Sequence, residues 1–196
     1  MTTTPYQVLV RDLPVRRELD IPASFVADAL RGLAMREALG APEDDPDAGA
    51  GRLELDLYAE DAHVFGRGQI TGHVHVACSR CVEPVRLAFD EKIAVTFLPS
   101  AEFAAVSAAE DAEVDEEGVA ITEEDLDLFG YDGETIDLEP LIREQFVLAV
   151  PYAPLCAEDC AGLCPQCGVN RNQERCACEG VGDPRLAGLK ALKFPS

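Results

Sequence analysis

Residues 156–178 read CAEDCAGLCPQCGVNRNQERCAC, and the rest of the chain has to be arranged around this stretch. Six of the eight cysteines fall inside it, at 156, 160, 164, 167, 176 and 178. The other two, Cys78 and Cys81, form a CSRC pair far upstream. A zinc ion takes four ligands in a tetrahedron, with sulfur at about 2.3 Å. A Cys-x-x-Cys turn offers two thiolates to one ion, and Cys164-Pro165-Gln166-Cys167-Gly168 is such a knuckle. Gly168 suits its sharp turn and Pro165 stiffens it. Cys176 and Cys178 supply a second pair after the polar loop 168–175, closing a four-thiolate site with no coordination position left open. Cys78, Cys81, Cys156 and Cys160 remain for a second four-thiolate site joining distant parts of the chain.

Two other chemistries compete for these thiols. Four thiolates also hold an iron–sulfur cluster. Disulfides are the weaker reading, because residues 1–19 carry charges throughout and show no apolar signal region. Paired CxxC motifs in a cytosolic chain point to metal before oxidation. The expectation is one or two structural zinc ions and a cytoplasmic location. A redox role for Cys78 and Cys81 ranks third, because no βαβ pattern surrounds them.

Charge is the second global signal. The 196 residues contain 37 Asp and Glu against 16 Lys and Arg, a formal net charge of −21. Nucleic-acid affinity comes largely from Lys and Arg on phosphates, so the balance opposes a phosphate backbone at long range. It favours a basic protein partner. Arg11, Arg16 and Arg17, or Arg171, Arg175 and Arg185, are small basic sets that leave direct RNA contact open. No run approaches the ~18 apolar residues that a membrane span needs.

Periodicity sets the fold class. A short first strand is expected over Tyr6–Val10, with Arg16, Arg17 and Glu18 interrupting the pattern beyond it. Phe25, Val26, Ala29, Leu30 and Leu33 recur at helical spacing and predict a helix over Pro22–Leu39. An acidic loop follows over Glu43–Gly51. Leu53, Leu55 and Leu57 alternate with polar residues, the mark of a half-buried strand. Val64–Ala77 continues extended, with Gly66, Gly68 and Gly72 suggesting bulges or bends. Val85–Phe97 is the longest alternation, so CSRC lies at a hairpin connection between two long strands. His73 and His75 sit on the face opposite Val74 and Val76 and read as exposed sheet residues.

No Lys or Arg occurs between Ile93 and Ile142. Like-charge repulsion makes Pro99–Asp132 read as a solvated acidic loop, re-engaging the fold at Leu126, Leu128, Phe129 and Tyr131. Asp137 caps a helix to Val150 that presents Leu138, Leu141, Ile142 and Phe146 on one face. A last short helix is expected after Asp183-Pro184. No nucleophile elbow, phosphate loop or HExxH occurs, so an enzyme is not the expectation.

CSRC, DLEPLIREQFVLAVP over 137–151, GLCPQCG over 162–168, Cys176-Ala177-Cys178 and the closing DPRL together resemble the YceD family of bacterial and plastid proteins. The resemblance covers roughly Leu53 to the C-terminus. It implies a non-enzymatic role in accumulation of large-subunit ribosomal RNA, hence in ribosome assembly. The partner would then be a basic ribosomal protein or a large-subunit assembly intermediate. An unrelated zinc-stabilised adaptor is the alternative. The expected fold is α+β: a mainly antiparallel sheet with two principal helices and a C-terminal cysteine-rich knuckle region. Residues 1–151 would form the core, with an acidic insertion near 99–132. Residues 152–196 would pack against it.

Overall fold

The computed structural model describes residues 4–33, 37–39, 50–112 and 127–178, with side chains in the helix 100–112 described through residue 108. The expected loop over 43–49 and the expected C-terminal helix from Asp183 lie outside them. The strands are β1 (Gln7–Leu9), β2 (Val15–Ile21), β3 (Gly51–Glu60), β4 (His63–Ala77), β5 (Pro84–Pro99), β6 (Asp127–Tyr131) and β7 (Thr135–Asp137). The helices are α1 (Ala23–Ala29), α2 (Ser100–Ala112) and α3 (Glu139–Ala149). Five strands form one sheet in the order β2-β3-β4-β5-β6, antiparallel except for the parallel pair β5–β6. β1 and β7 form a separate antiparallel ribbon. The protein is thus α+β and mainly antiparallel.

One sheet face is apolar because β3, β4 and β5 alternate in phase. Leu53, Leu55, Leu57, Val64, Ile70, Val74, Val76, Ile93, Val95 and Phe97 are all buried. α1 and α3 cover this face with Val26, Leu30, Leu141, Ile142 and Phe146, and the ribbon adds Val8 and Ile136. Phe146 meets Phe89 edge-on, with ring centroids 5.0 Å apart. Arg143 ties the two helices by donating to Asp28 at 2.8 Å. The opposite face is polar. There Arg16 and Arg52 each contact three carboxylates drawn from Glu18, Asp20, Glu54 and Asp56. These pairs are exposed, so each contributes at most about 1 kcal/mol.

Several expectations change. Arg16, Arg17 and Glu18 interrupt the hydrophobic pattern, yet they lie in edge strand β2. Arg17 takes an inner-face position, its guanidinium donating to the carbonyls of Pro5 and Gln7, both at 3.3 Å. The first helix is seven residues rather than a run to Leu39. Gly32, at φ +79°, turns the chain away. The Leu39 N–H then donates to the His75 carbonyl at 2.7 Å. His75 is correspondingly buried, not exposed, and His73 is half-buried.

The β4 glycines make no bulges, because its register runs unbroken against both neighbours. They make room. A Cβ on Gly68 would lie 1.9 Å from the Glu54 carbonyl oxygen, and one on Gly66 would lie 2.8 Å from Val95.

Pro99–Asp132 is not all loop. Its first part is α2, where SAEFAAVSAAEDA is rich in the best helix former and places Phe103, Val106 and Ser107 on one half-buried stripe. The acidic residues crowd only past residue 109. At the far end, β6 re-engages the sheet beside β5. Helix α3 starts at Glu139 rather than Asp137, although Asp137 does accept from the Glu139 N–H at 2.9 Å.

Candidate metal centre

β4 and β5 are the longest strands, and their pairing continues to Ala77 opposite Pro84. The CSRC connection therefore projects from the end of the sheet. Within it the Val82 N–H donates to the Cys78 carbonyl and the Cys78 N–H to the Glu83 carbonyl, each at 2.9 Å. This turn holds both sulfurs on one side. α3 ends at Ala149, and Pro151 and Pro154 lead the chain back to the same place. The Ser79 N–H donates to the Pro154 carbonyl at 2.8 Å. The Arg80 guanidinium donates to the carbonyls of Glu158 (3.2 Å) and Cys160 (3.0 Å).

These contacts assemble the first tetrad: Cys78, Cys81, Cys156 and Cys160, with sulfurs all within 4.8 Å of one another. Cys78 and Cys160 are 82 positions apart in sequence, yet their sulfurs are 3.8 Å apart, and those of Cys81 and Cys156 are 3.6 Å apart. A tetrahedron of sulfurs about 2.3 Å from a central ion has edges of about 3.8 Å, so the site has the dimensions of a single-ion thiolate centre. A disulfide would need about 2.05 Å. Cys78, Cys81 and Cys160 are buried, with Val85, in a small cluster separate from the main core.

The second tetrad is Cys164, Cys167, Cys176 and Cys178, again within 4.8 Å. It is local and built on a knuckle like the first, with the Gly168 N–H donating to the Cys164 carbonyl at 2.8 Å. Gly162, at φ +70°, lets the chain pass close enough to Arg80 for the Leu163 N–H to reach its carbonyl at 2.9 Å. The two centres thus share one small body at the end of the sheet. The eight cysteines singled out in the sequence gather four to a group.

The surroundings prepare thiolates. Burial pushes the Cys78 thiol up, but the N–H groups of Cys81, Arg80 and Cys156 outweigh it and bring it down to about 6. The N–H groups of Cys167 and Gln166 hold Cys164 down to about 6 against its burial. Hydrogen bonding with Cys160 and Cys81 pushes Cys156 up to about 12, and contact with Cys167 does the same for Cys178. Such N–H···S contacts are the kind of outer shell that would orient thiolates toward a metal ion.

Sequence spacing did not reveal the residues that grip the tetrads. Asn172 donates to the Cys160 sulfur at 3.3 Å, and Asn170 and Gln173 each donate to Glu83 at 3.2 Å. The loop 168–175 was legible only as polar.

The geometry defines a class: an α+β sheet protein with two four-thiolate centres, each suited to one metal ion. The family follows from comparison. Residues 66–193 match the model of the family described as "Large ribosomal RNA subunit accumulation protein YceD", and the chain belongs to this family. It is 35% identical over 145 residues to Uncharacterized protein Rv2926c of Mycobacterium tuberculosis and, equally, to Uncharacterized protein Mb2951c of Mycobacterium bovis. The match covers 73% of this chain and 63% of each relative, so the chain spans less than two thirds of their length. Uncharacterized protein ML1660 of Mycobacterium leprae is 47% identical over 49 residues, 25% of this chain and 22% of that protein. No solved structure matches the chain.

Proposed function

We propose that this protein is a non-catalytic factor in large ribosomal subunit biogenesis, held in shape by two structural zinc ions. The observation that carries the zinc reading is the gathering of all eight cysteines into two four-sulfur groups, each within 4.8 Å, with edges of 3.6 and 3.8 Å in the first. All-thiolate ligation selects soft metals and disfavours magnesium, calcium and manganese. Four protein ligands leave no open position, which is the structural rather than the catalytic pattern. A four-iron cluster distributes its thiolates over different irons and spreads them wider than the 3.6 and 3.8 Å seen here. Zinc bound here would pin the segment after α3 to the end of the sheet.

Family membership supports the ribosomal role, and charge supports its mode. A chain of net charge −21 approaches phosphate unfavourably and a basic protein favourably. The partner we assign is a basic ribosomal protein, free or within a large-subunit assembly intermediate. The chain acts by binding in the cytoplasm. Among the described residues no helix is long and apolar enough to cross a membrane.

The test is affinity capture of the zinc-loaded chain from native extract, at low and moderate salt, with and without RNase. A basic ribosomal protein that survives RNase and is lost with salt is the expected result. Precursor RNA that carries the interaction and vanishes with RNase would replace the protein-contact mode by an RNA-contact one. Capture of neither would remove the ribosomal reading.

A further inference from the structure

The loop 168–175 belongs to the second tetrad by sequence, since Cys167 and Cys176 bracket it. Its backbone stays tied to Cys164, through the Gly168 N–H and the Val169 carbonyl (both 2.8 Å), but its side chains reach the first. Asn172 donates through Nδ2 to the sulfur of Cys160 at 3.3 Å. Its Oδ1 accepts from the Ala161 N–H at 2.7 Å, fixing the amide plane. Asn170 braces it, its Oδ1 accepting from the Asn172 N–H at 3.0 Å and from Nδ2 at 2.9 Å. Asn170 and Gln173 also clasp Glu83, whose own carbonyl receives the Cys78 N–H.

We propose that Asn172 is a positioning residue that couples the two metal centres, so that filling the second raises the affinity of the first. The inference rests on the two-metal reading above. The physical route is short. The second tetrad is assembled from residues 164–178 and closes a small loop, whereas the first must close 82 positions of chain between Cys78 and Cys160. An ion in the second centre fixes both ends of the Asn172 loop. The ordered amide then donates to the Cys160 thiolate, stabilising its charge and orienting it for the first ion. An empty second centre leaves that donor to be ordered at the first ion's expense. Coupling between binding sites is reciprocal, so the first ion tightens the second by the same factor.

The experiment is cobalt(II) titration of the full chain, stripped of metal under reducing conditions, against a competing chelator. The thiolate–cobalt absorption bands are the readout. Cys164→Ser/Cys167→Ser isolates the first centre, and Cys78→Ser/Cys81→Ser isolates the second. Asn172→Asp keeps the oxygen that caps Ala161 but replaces the donor to sulfur with an acceptor. With both tetrads intact, Asn172→Asp should weaken the first centre by about 10–100-fold, the range for loss of an outer-shell partner. Removing the second tetrad should weaken the first by a similar factor, and Asn172→Asp should then add little. Asn172→Gln, with a reachable amide, should recover part of the loss. Equal first-centre affinity with and without the second tetrad overturns the coupling. So does an Asn172→Asp effect of the same size in both backgrounds. Failure of the underlying reading looks different: the wild-type chain would then bind fewer than two cobalt ions.

Discussion

Val82 and Gly168 occupy the same place in two knuckles. Each follows the second cysteine of a CxxC turn, each donates its N–H to the first cysteine's carbonyl (2.9 and 2.8 Å), and each has positive φ, +65° and +74°. Only one of them is glycine. A β-branched residue in the left-handed region costs about 1–2 kcal/mol, and Val82 is 57% exposed, so it recovers little by burial.

Val82→Gly should therefore stabilise the metal-loaded protein. Against the strain relieved, about 1–2 kcal/mol, stands the extra unfolded-state entropy of glycine, about 0.5–1 kcal/mol, so the net gain lies between about 0 and 1.5 kcal/mol. Gly168→Val is the converse. A Cβ at Gly168 meets nothing within 4 Å, so its cost is conformational alone: about 1–2 kcal/mol of strain less about 0.5–1 kcal/mol of unfolded-state entropy. Thermal unfolding of both variants at fixed zinc checks the pair. A destabilised Val82→Gly protein would mean that the valine side chain makes a contact outweighing its strain.

Metal removal should act locally first. The main core contains no cysteine, and the cysteine cluster stands apart from it. Structural zinc in zinc-finger peptides binds with about 10–16 kcal/mol at neutral pH, and an ion held by four cysteines here would contribute on that order to local stability. Chelation should free residues 152–178 from the sheet while β2–β5 persist. Hydrogen exchange should rise sharply at 78–83 and 152–178 and change little at 53–57. Global unfolding on chelation would show that the sheet depends on the metal centres.

The fold and the site were legible in unequal measure. Leu53, Leu55 and Leu57, and Val85 through Phe97, announced themselves because one face of each strand is wet and the other dry. The tetrads were legible because a four-coordinate ion imposes short spacings such as 164–167. β2 was not, because Arg17 fills an inner-face position where the alternation predicts an apolar side chain. It is accommodated by the Pro5 and Gln7 carbonyls, tertiary partners that no local pattern encodes. α2 was hidden by counting the charge of 99–132 as a whole, when its alanine-rich start carries the helix. The burial of His75 has no local signal, because Leu39 approaches it from elsewhere in the chain. Asn172 had no signal at all, since a polar loop residue declares its partner only when the loop is closed.

Gly68→Ala tests the register of the sheet. Its Cβ would meet the Glu54 carbonyl oxygen at 1.9 Å, a backbone atom that cannot swing aside. The β3–β4 ladder has to open there, and the buried leucines of β3 move with it. The loss should be at least about 3 kcal/mol, in the class of severe single substitutions. Denaturant unfolding measures it, and a loss under about 1 kcal/mol would mean that the strands do not approach this closely.

Acid should release the metal with a slope that the thiol environment sets. In the metal-free protein Cys78 and Cys164 titrate at about 6, well below the ordinary 9.0, and each is already a thiolate at neutral pH. Cys156 and Cys178, pushed up to about 12, remain protonated there. Binding requires all four thiolates, so each ion displaces the protons still present. Near pH 7.5 that is at most about three per ion rather than four, and apparent affinity falls by up to about three decades per pH unit of acidification. Below pH 6 Cys78 and Cys164 also protonate, and the slope steepens toward four. Calorimetric zinc titrations in buffers of different ionisation enthalpy count these protons directly. Four released per ion at pH 7.5 would mean that the backbone N–H groups around Cys78 and Cys164 do not hold a thiolate before the metal arrives.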